Sequence, residues 1–351
     1  MNMKNEKDKL AELANLMNEQ SETPLFLTDD LLEVIDAALE PEEVDFLLKM
    51  GGGSIAEEEL RAKTGLSGEA FERIFGNLLD KGPIMEMESQ PKRGEVLYHL
   101  MSIFPGWFEF YLMRGAETQD RKLFAERIGR YYEAAQAFEP EFINTIVREM
   151  GAHRSIAVVN PPQPGRISIG LAADPSLSEV YPPHSILRIL EDLDENETVA
   201  LGHCFCRQQR KMEGDPCRMG LPEQSCMALG PAAEHLIRRD IAQRITKEEA
   251  LRFIKDVAVK GAVHQVGRLV PLKDFNAKYE VDIVCSCCWD CCGAIGNYSR
   301  GNTPFMLKSF YRAEIPDDAN CTGCGTCEQI CPVRAISVSE EGVTKIHPDM
   351  C

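Results

Sequence analysis

Apolar residues recur at helical spacing in LTDDLLEVIDAAL (27–39) and PEEVDFLLKM (41–50), which predicts two helices. The first opens on acidic residues and the second on Pro41, a residue suited to a first helical turn. SIAEEELRAKTGLSGEAFERIFGNLLDKG (54–82) predicts two more. The earlier of these is expected to turn Ile55, Leu60 and Ala62 to a partly buried side and to close at Gly65. The later is expected to be capped by Ser67 and to bury a stripe of Phe71, Ile74, Phe75, Leu78 and Leu79. PIMEMES and EVLYHLM, separated by QPKRG, read as two short strands around a turn. Residues 1–23 read as a polar N-terminal segment.

Helix, helix, short turn, helix and hairpin is the order of a winged helix-turn-helix, and residues 24–102 resemble one. That resemblance implies either DNA binding or a fold used for protein docking, because fold does not fix function. Charge favours docking. Residues 1–120 hold 11 Lys and Arg against 25 Asp and Glu, a balance of 11 − 25 = −14. The would-be recognition helix offers Arg73 and Lys81 against Glu69, Glu72 and Asp80, and the wing adds Lys92 and Arg93. Phosphate neutralisation by basic side chains supplies most non-specific DNA affinity, and this surface would repel phosphates.

Residues 103–160 read as a helical connector. PGWFEFYLMRG is aromatic-rich, and Trp107, Phe108, Phe110 and Tyr111 are expected in a core or an interdomain seam; RKLFAERIGRYYEAAQAF is helical in period. NPPQPG (160–165) is a chain breaker and marks a boundary. Gly51–Gly53 reads as a flexible turn between helices.

Cysteine changes the picture. All fourteen cysteines fall in the last 148 residues of the 351, from Cys204 onward. No run approaches the ~20 apolar residues of a membrane span, and the charged first twenty residues lack the apolar stretch of a secretory signal. A cytoplasmic location is therefore expected, where thiols stay reduced and such a count points to metal or redox chemistry. The net charge of −18 weighs against nucleic acid or an anionic membrane as partner.

CTGCGTCEQICP carries Cys321, Cys324, Cys327, Cys331 and Pro332 in the C-x2-C-x2-C-x3-C-P spacing of bacterial ferredoxins. Two-residue gaps let one tight loop aim three thiolates at three iron corners, with Gly323 and Gly325 leaving the loop backbone room to approach the inorganic sulfides. The fourth cysteine normally serves a second cluster. A zinc site is the alternative, but such sites favour separated pairs or mixed Cys/His sets. Residues 312–351 resemble 4Fe–4S ferredoxin domains.

A second set, Cys204, Cys206, Cys217 and Cys226, lies within 23 residues and is expected to close one metal site. Its C-x-C pair must sit in a turn to donate both sulfurs, since extended neighbours point oppositely. Arg207 and Arg210 either offset thiolate charge or form a solvated basic patch. His203 reads first as an ordinary surface or core histidine, and otherwise as a supporting donor or alternative ligand beside Cys204. The third set, Cys285, Cys287, Cys288, Cys291 and Cys292, packs five thiols into eight residues, too many for inert core positions. Trp289 would shield a cluster there. Some of this set is expected on or beside the second, because neither alone satisfies its thiols.

The layout resembles a group of 4Fe–4S binding proteins of anaerobic microbes: a winged helix, a C-x-C-R…C…C element, a C-x-C-C-x2-C-C element and a terminal ferredoxin domain. Cys204-Phe205-Cys206-Arg207, Cys217, Cys226, CSCCWDCC and CTGCGTCEQICP carry the match. The resemblance implies iron–sulfur binding, electron transfer and no defined substrate. The fold expected is α+β multidomain: a polar segment (1–23), a winged helix (24–102), a helical connector (103–160), a Cys-rich α/β domain (161–305) and a ferredoxin-like βαβ-type cluster domain (306–351). At least one 4Fe–4S cluster and as many as three fit the count, with protein redox partners and an acidic surface suited to steering toward a basic one. No Walker A, G-x-G-x-x-G, G-x-S-x-G or H-E-x-x-H motif is present, so an electron-transfer component fits better than an independent catalyst. The alternative function is a cluster-responsive winged-helix transcription regulator.

IPDDANC, ending at Cys321, is echoed by IHPDMC, ending at Cys351, twenty residues beyond Cys331. Cys351 is thus expected to open a second ferredoxin motif whose remaining cysteines are missing, making 306–351 a truncated domain.

Overall fold

The computed structural model of the chain describes residues 3–21, 25–88, 95–134, 155–158, 184–267, 281–300, 313–315, 320–331 and 334–347. The first segment is a helix, α1 (Met3–Asn18), where the sequence predicts only a polar stretch. Leu10, Leu13, Ala14 and Met17 stand at i, i+3, i+4 and i+7, and that narrow stripe is buried beneath an otherwise charged helix.

Thr28 starts α2 (Asp29–Asp36) by accepting from the Leu31 amide at 3.2 Å. Glu40 and Glu43 form a reciprocal capping box at α3 (Pro41–Met50), with Pro41 in the first turn. Ile55 lies in a strand, β1 (Ser54–Ala56), and not in the helix expected for it, because it pairs across to Tyr98. The helix α4 (Glu57–Thr64) consequently starts later, burying Leu60 and Thr64 and leaving Ala62 exposed. It ends on Gly65 in the left-handed region at φ 69°. Ser67 occupies the N-cap of α5 (Gly68–Lys81), but its hydroxyl makes no capping bond. The predicted stripe of α5 is buried. β2 (Ile84–Glu88) and β3 (Val96–Leu100) complete an antiparallel sheet in the order β1-β3-β2. Lys92 and Arg93 lie outside the described residues.

α6 (Phe108–Met113) and α7 (Gln119–Ala134) follow, with Trp107, Phe108, Phe110 and Tyr111 all buried. Beyond them come β4 (Ser155–Val158), α8 (His184–Glu191), β5 (Val199–His203), α9 (Phe205–Met212), β6 (Gln224–Leu229), α10 (Gly230–Arg238), β7 (Gln243–Ile245), α11 (Lys247–Val259), β8 (Val263–Gly267), β9 (Ile283–Cys287) and α12 (Ile295–Ser299). Their strands form one sheet, β4-β8-β9-β6-β5-β7. Every pairing in it is antiparallel, where an α/β reading would lead one to expect parallel strands. The short α9 and its loop return the chain alongside β5 and do not carry it across the sheet face. The boundary expected at 160–165 lies outside the described residues.

A single apolar core joins the N-terminal helices to this sheet, running from Leu10 through Trp107 to Phe205, Ala228 and Ile283. Phe108 stacks on Phe205 with ring centroids 6.4 Å apart, and Phe110 faces His235 at 5.9 Å. The Glu86 carboxylate, nearly buried on β2, bridges Arg238 at 3.1 Å and Arg239 at 2.6 Å from α10. The expected connector is therefore a seam. At the C-terminal end, α13 (Thr326–Ile330) precedes a hairpin of β10 (Ile336–Val338) and β11 (Thr344–Ile346). The chain is mixed helix and sheet, and among the described residues no helix is long and apolar enough to cross a membrane.

Candidate metal centres

The central sheet gathers the thiols by register. Cys226 on β6 sits opposite Cys285 on β9, and Cys287, two residues on, shares the face of Cys285. Cys204 follows β5 and occupies the N-cap position of α9, which puts Cys206 in the first helical turn: a strand-to-helix corner lets the C-x-C pair face the same place. Cys217 comes from the loop after α9, and Cys288, Cys291 and Cys292 from the turn after β9.

These nine cysteines form two groups. Cys217, Cys288 and Cys291 hold their sulfurs within 4.8 Å of one another, with Cys217–Cys288 at 3.8 Å and Cys288–Cys291 at 3.3 Å. The other six form a run of neighbouring thiols in which each interacts with the next, Cys204 to Cys206, Cys292, Cys287, Cys285 and Cys226 in turn. The two upstream sets meet, as expected, at Cys217–Cys288 and at Cys226–Cys285, with Cys217 and Cys226 in different groups. Cys217 lies on the loop side of α9 and meets the β9 turn, whereas Cys226 is fixed on the strand opposite Cys285.

The surroundings favour thiolate. Arg207 is buried at 3% exposure; its guanidinium donates to the Pro222 carbonyl at 2.7 Å, to the Ser225 hydroxyl and to the Ser286 carbonyl. It makes no salt bridge to a carboxylate among the described residues, and Cys217, Cys204 and Cys291 supply its negative neighbours. A buried cation without an anion is costly, so thiolate is its partner. Contact with Cys288, then Cys291, and the Arg207 guanidinium hold Cys217 far below the usual thiol range. Cys292 is lowered by contact with Cys206 and Cys287, and Cys204 by contact with Cys206. Their neighbours Cys206, Cys226, Cys287 and Cys291 are pushed up by sharing those protons and by burial, and Cys288 is pushed up to about 11. Thiols so crowded cannot all ionise alone; a metal cation in place of the shared protons would let them. The Ala294 amide donates to Cys292 at 3.3 Å and the Cys291 amide to Cys288 at 3.5 Å. Leu221, Val257 and Ala262 cover the three-sulfur group with apolar surface.

Of the two arginines weighed from sequence, Arg207 faces the thiols, while Arg210 is engaged by Glu213 at 2.8 Å and by Asp215. His203 packs on Gly115, where an added Cβ would fall 2.4 Å from the ring. Sequence reasoning missed Ser225, Ser286, Gln265 and Asp290, buried polar residues around the thiols. Only Asp290, inside CCWDCC, carried a signal, as a charge within a cysteine run.

In the C-terminal loop Cys321 and Cys324 are exposed, Cys327 is half-buried and Cys331 is buried. The Thr344 hydroxyl lies 3.3 Å from the Cys321 sulfur, and that of Thr326 3.4 Å from Cys324; these hydrogen bonds lower both thiols. Gly323, at φ 64°, passes Gly342 of the hairpin so closely that a Cβ would come within 2.3 Å of its carbonyl oxygen, so backbone packing also requires this glycine. Trp289 takes the Arg334 guanidinium over its ring at 4.0 Å. Cys351 lies outside the described residues.

A buried assembly of contacting thiols around an arginine, followed by a C-x2-C-x2-C loop, defines a thiolate-ligated metalloprotein. Residues 315–337 match the 4Fe-4S binding domain family. The chain thus carries a site for a 4Fe–4S cluster, and its general chemistry is iron–sulfur electron transfer. No curated protein and no solved structure matches the chain.

Proposed function

We propose that the chain is an electron-transfer protein or subunit, passing single electrons between cytoplasmic partner oxidoreductases through the terminal cluster and metal centres built on the nine central thiols. The observation that carries this reading is the Trp289–Arg334 contact. It joins the residue between Cys288 and Cys291 to the residue three places after Cys331, so the two cysteine regions touch through one cation–π pair. Residues 24–102 act as a winged helix used for docking. Arg73 is paired with Glu42, Lys81 with Glu43, and Arg61 with Glu57 and Glu72, which leaves these cations already neutralised and disfavours the regulator reading.

The three-sulfur group supports a second reading of its own content. A tetrahedral zinc with Zn–S near 2.3 Å has sulfurs about 3.8 Å apart. The Cys217–Cys288 separation of 3.8 Å suits a single ion, while Cys288–Cys291 at 3.3 Å would have to open by about half an ångström to hold it.

Anaerobic purification followed by iron, sulfide and zinc analysis and EPR of the reduced protein tests both. Iron and sulfide beyond one cluster per chain, with EPR signals from more than one centre, are expected. One cluster and no other metal would end the relay; one zinc per chain would assign the three-sulfur group to that ion.

A further inference from the structure

The three-sulfur group is assembled from two segments 71 residues apart, the loop after α9 and the turn after β9. Something other than sulfur has to hold them in register, because thiolates repel one another until a cation joins them. Arg207 ties the far end of the loop, at Pro222, to Ser286 on β9. At the near end the tie is Asp290, the residue before Cys291. Its Oδ2 accepts from the backbone amide of Arg218, the residue after Cys217, at 2.6 Å. Asp290 is 8% exposed, and a charged acceptor makes such a bond roughly twice as strong as a neutral one. The Arg218 side chain adds little, being 62% exposed with its Nη1 3.8 Å from Oδ1. Asp290 is itself anchored. Its carbonyl accepts from Nη1 of Arg300, and α12 passes so close that a Cβ added at Gly296 would lie 2.6 Å from that carbonyl oxygen. A nearly buried carboxylate beside three thiols opposes their ionisation, so its charge does not serve them. The position of its oxygen does.

We propose that Asp290 is a positioning residue for a metal ion on Cys217, Cys288 and Cys291: by holding the Arg218 amide it sets the Cys217 sulfur opposite the other two before the ion arrives. Asp290 is outside the set whose donor atoms lie within 4.8 Å of one another, so it acts through Cys217 and not as a ligand. The proposal rests on the reading of this group as a metal centre, and it holds for zinc and iron alike.

Cobalt(II), whose sulfur-to-metal absorption reports thiolate ligation, tests it by anaerobic titration into the reduced, metal-depleted full chain. The same titration of Cys217→Ser is subtracted, so that binding at this group alone is read. The parent is expected to show a Cys217-dependent signal that saturates at one ion per chain. Asp290→Asn keeps the acceptor in place and loses the charge, and is expected to bind nearly as tightly as the parent. Asp290→Glu keeps the charge and moves the acceptor by one methylene, and is expected to weaken binding about 10–100-fold, as is Asp290→Ala. A role for the charge alone would reverse the order of Asn and Glu, and would overturn the proposal. If Asp290→Ala loses helical circular dichroism, the Asn and Glu variants decide between them. Parental affinity in Asp290→Glu, or Asn as weak as Glu, would overturn the positioning role and leave the metal centre standing. A parent with no Cys217-dependent signal would remove the metal centre itself, and the proposal with it.

Discussion

Replacing Arg207 by Met removes a buried cation from among the central thiols while keeping most of its volume. The guanidinium sits a few ångströms from sulfur, and at an effective dielectric of about 20 its interaction with a unit charge is about 2–4 kcal/mol. A cation stabilises the more negative, reduced form of a neighbouring centre, so its loss makes reduction harder. At about 59 mV for each 1.36 kcal/mol in a one-electron couple, the midpoint potential of a central iron–sulfur centre is expected to fall by about 90–170 mV. Arg207→Lys keeps the charge and is expected to recover most of the shift, although losing the fork to Ser225 and Pro222 loosens the loop. An EPR-monitored redox titration reads the central and terminal centres in the same sample, with the terminal potential as internal reference. A central potential that stays put or rises in Arg207→Met, at unchanged iron content, would refute the argument that this arginine balances thiolate charge.

Glu86→Gln removes both ion pairs to Arg238 and Arg239, and is expected to lower stability by about 1–3 kcal/mol in denaturant unfolding, since the partners are only part-buried; unchanged stability would show that the seam is held by its apolar contacts alone. Burial pushes His99 down to about 4 and, with Arg239 and Arg238 adding to it, His235 down to about 3. Both folded values lie below the unfolded value of about 6.5, so the contribution is complete above that pH and lost as pH falls through it toward the folded values. At pH 5.5 the two together cost roughly 3 kcal/mol. A double His99→Gln, His235→Gln variant should show a shallower fall in stability between pH 7.5 and 5.5 than the parent, and an equally steep one would place the pH dependence in other groups.

Strong, regular stripes were legible. The apolar stripe of α5 and the two short strands β2 and β3 appear in the structure where the sequence puts them; α5 buries one face, whereas β2 is buried on both faces from Ile84 to Met87. α1 was not legible, since four buried residues on a highly charged helix leave a weak signal until the surface they cover is known. Ile55 shows a tertiary override: a residue compatible with a helical face is drawn into a strand by the Tyr98 partner. The site divided in the same way. The cysteine spacings announce metal chemistry, and the C-terminal loop can be read from its spacing because its thiols are local. Which upstream thiols meet depends on the register that sets Cys226 against Cys285 and on the loop that carries Cys217 to Cys288, and neither is written in sequence separation. Arg207 was visible only as one of two basic neighbours, because burial distinguishes it from Arg210.

The exposure of the sulfurs also decides how the protein ages in air. Peroxide arriving from solvent meets Cys321 and Cys324 first, exposed and already biased toward thiolate by Thr344 and Thr326, while Cys287, Cys288, Cys291 and Cys292 lie buried. Thiolate character and access together set the rate of sulfur oxidation. Damage should therefore accumulate at the terminal loop well before it reaches the sheet, and peptide mapping after mild peroxide would find sulfinic acid there while Cys287, Cys288, Cys291 and Cys292 remain intact. The terminal loop would then act as a fuse, failing early and cutting the terminal centre out of the circuit while the interior sulfurs stay reduced.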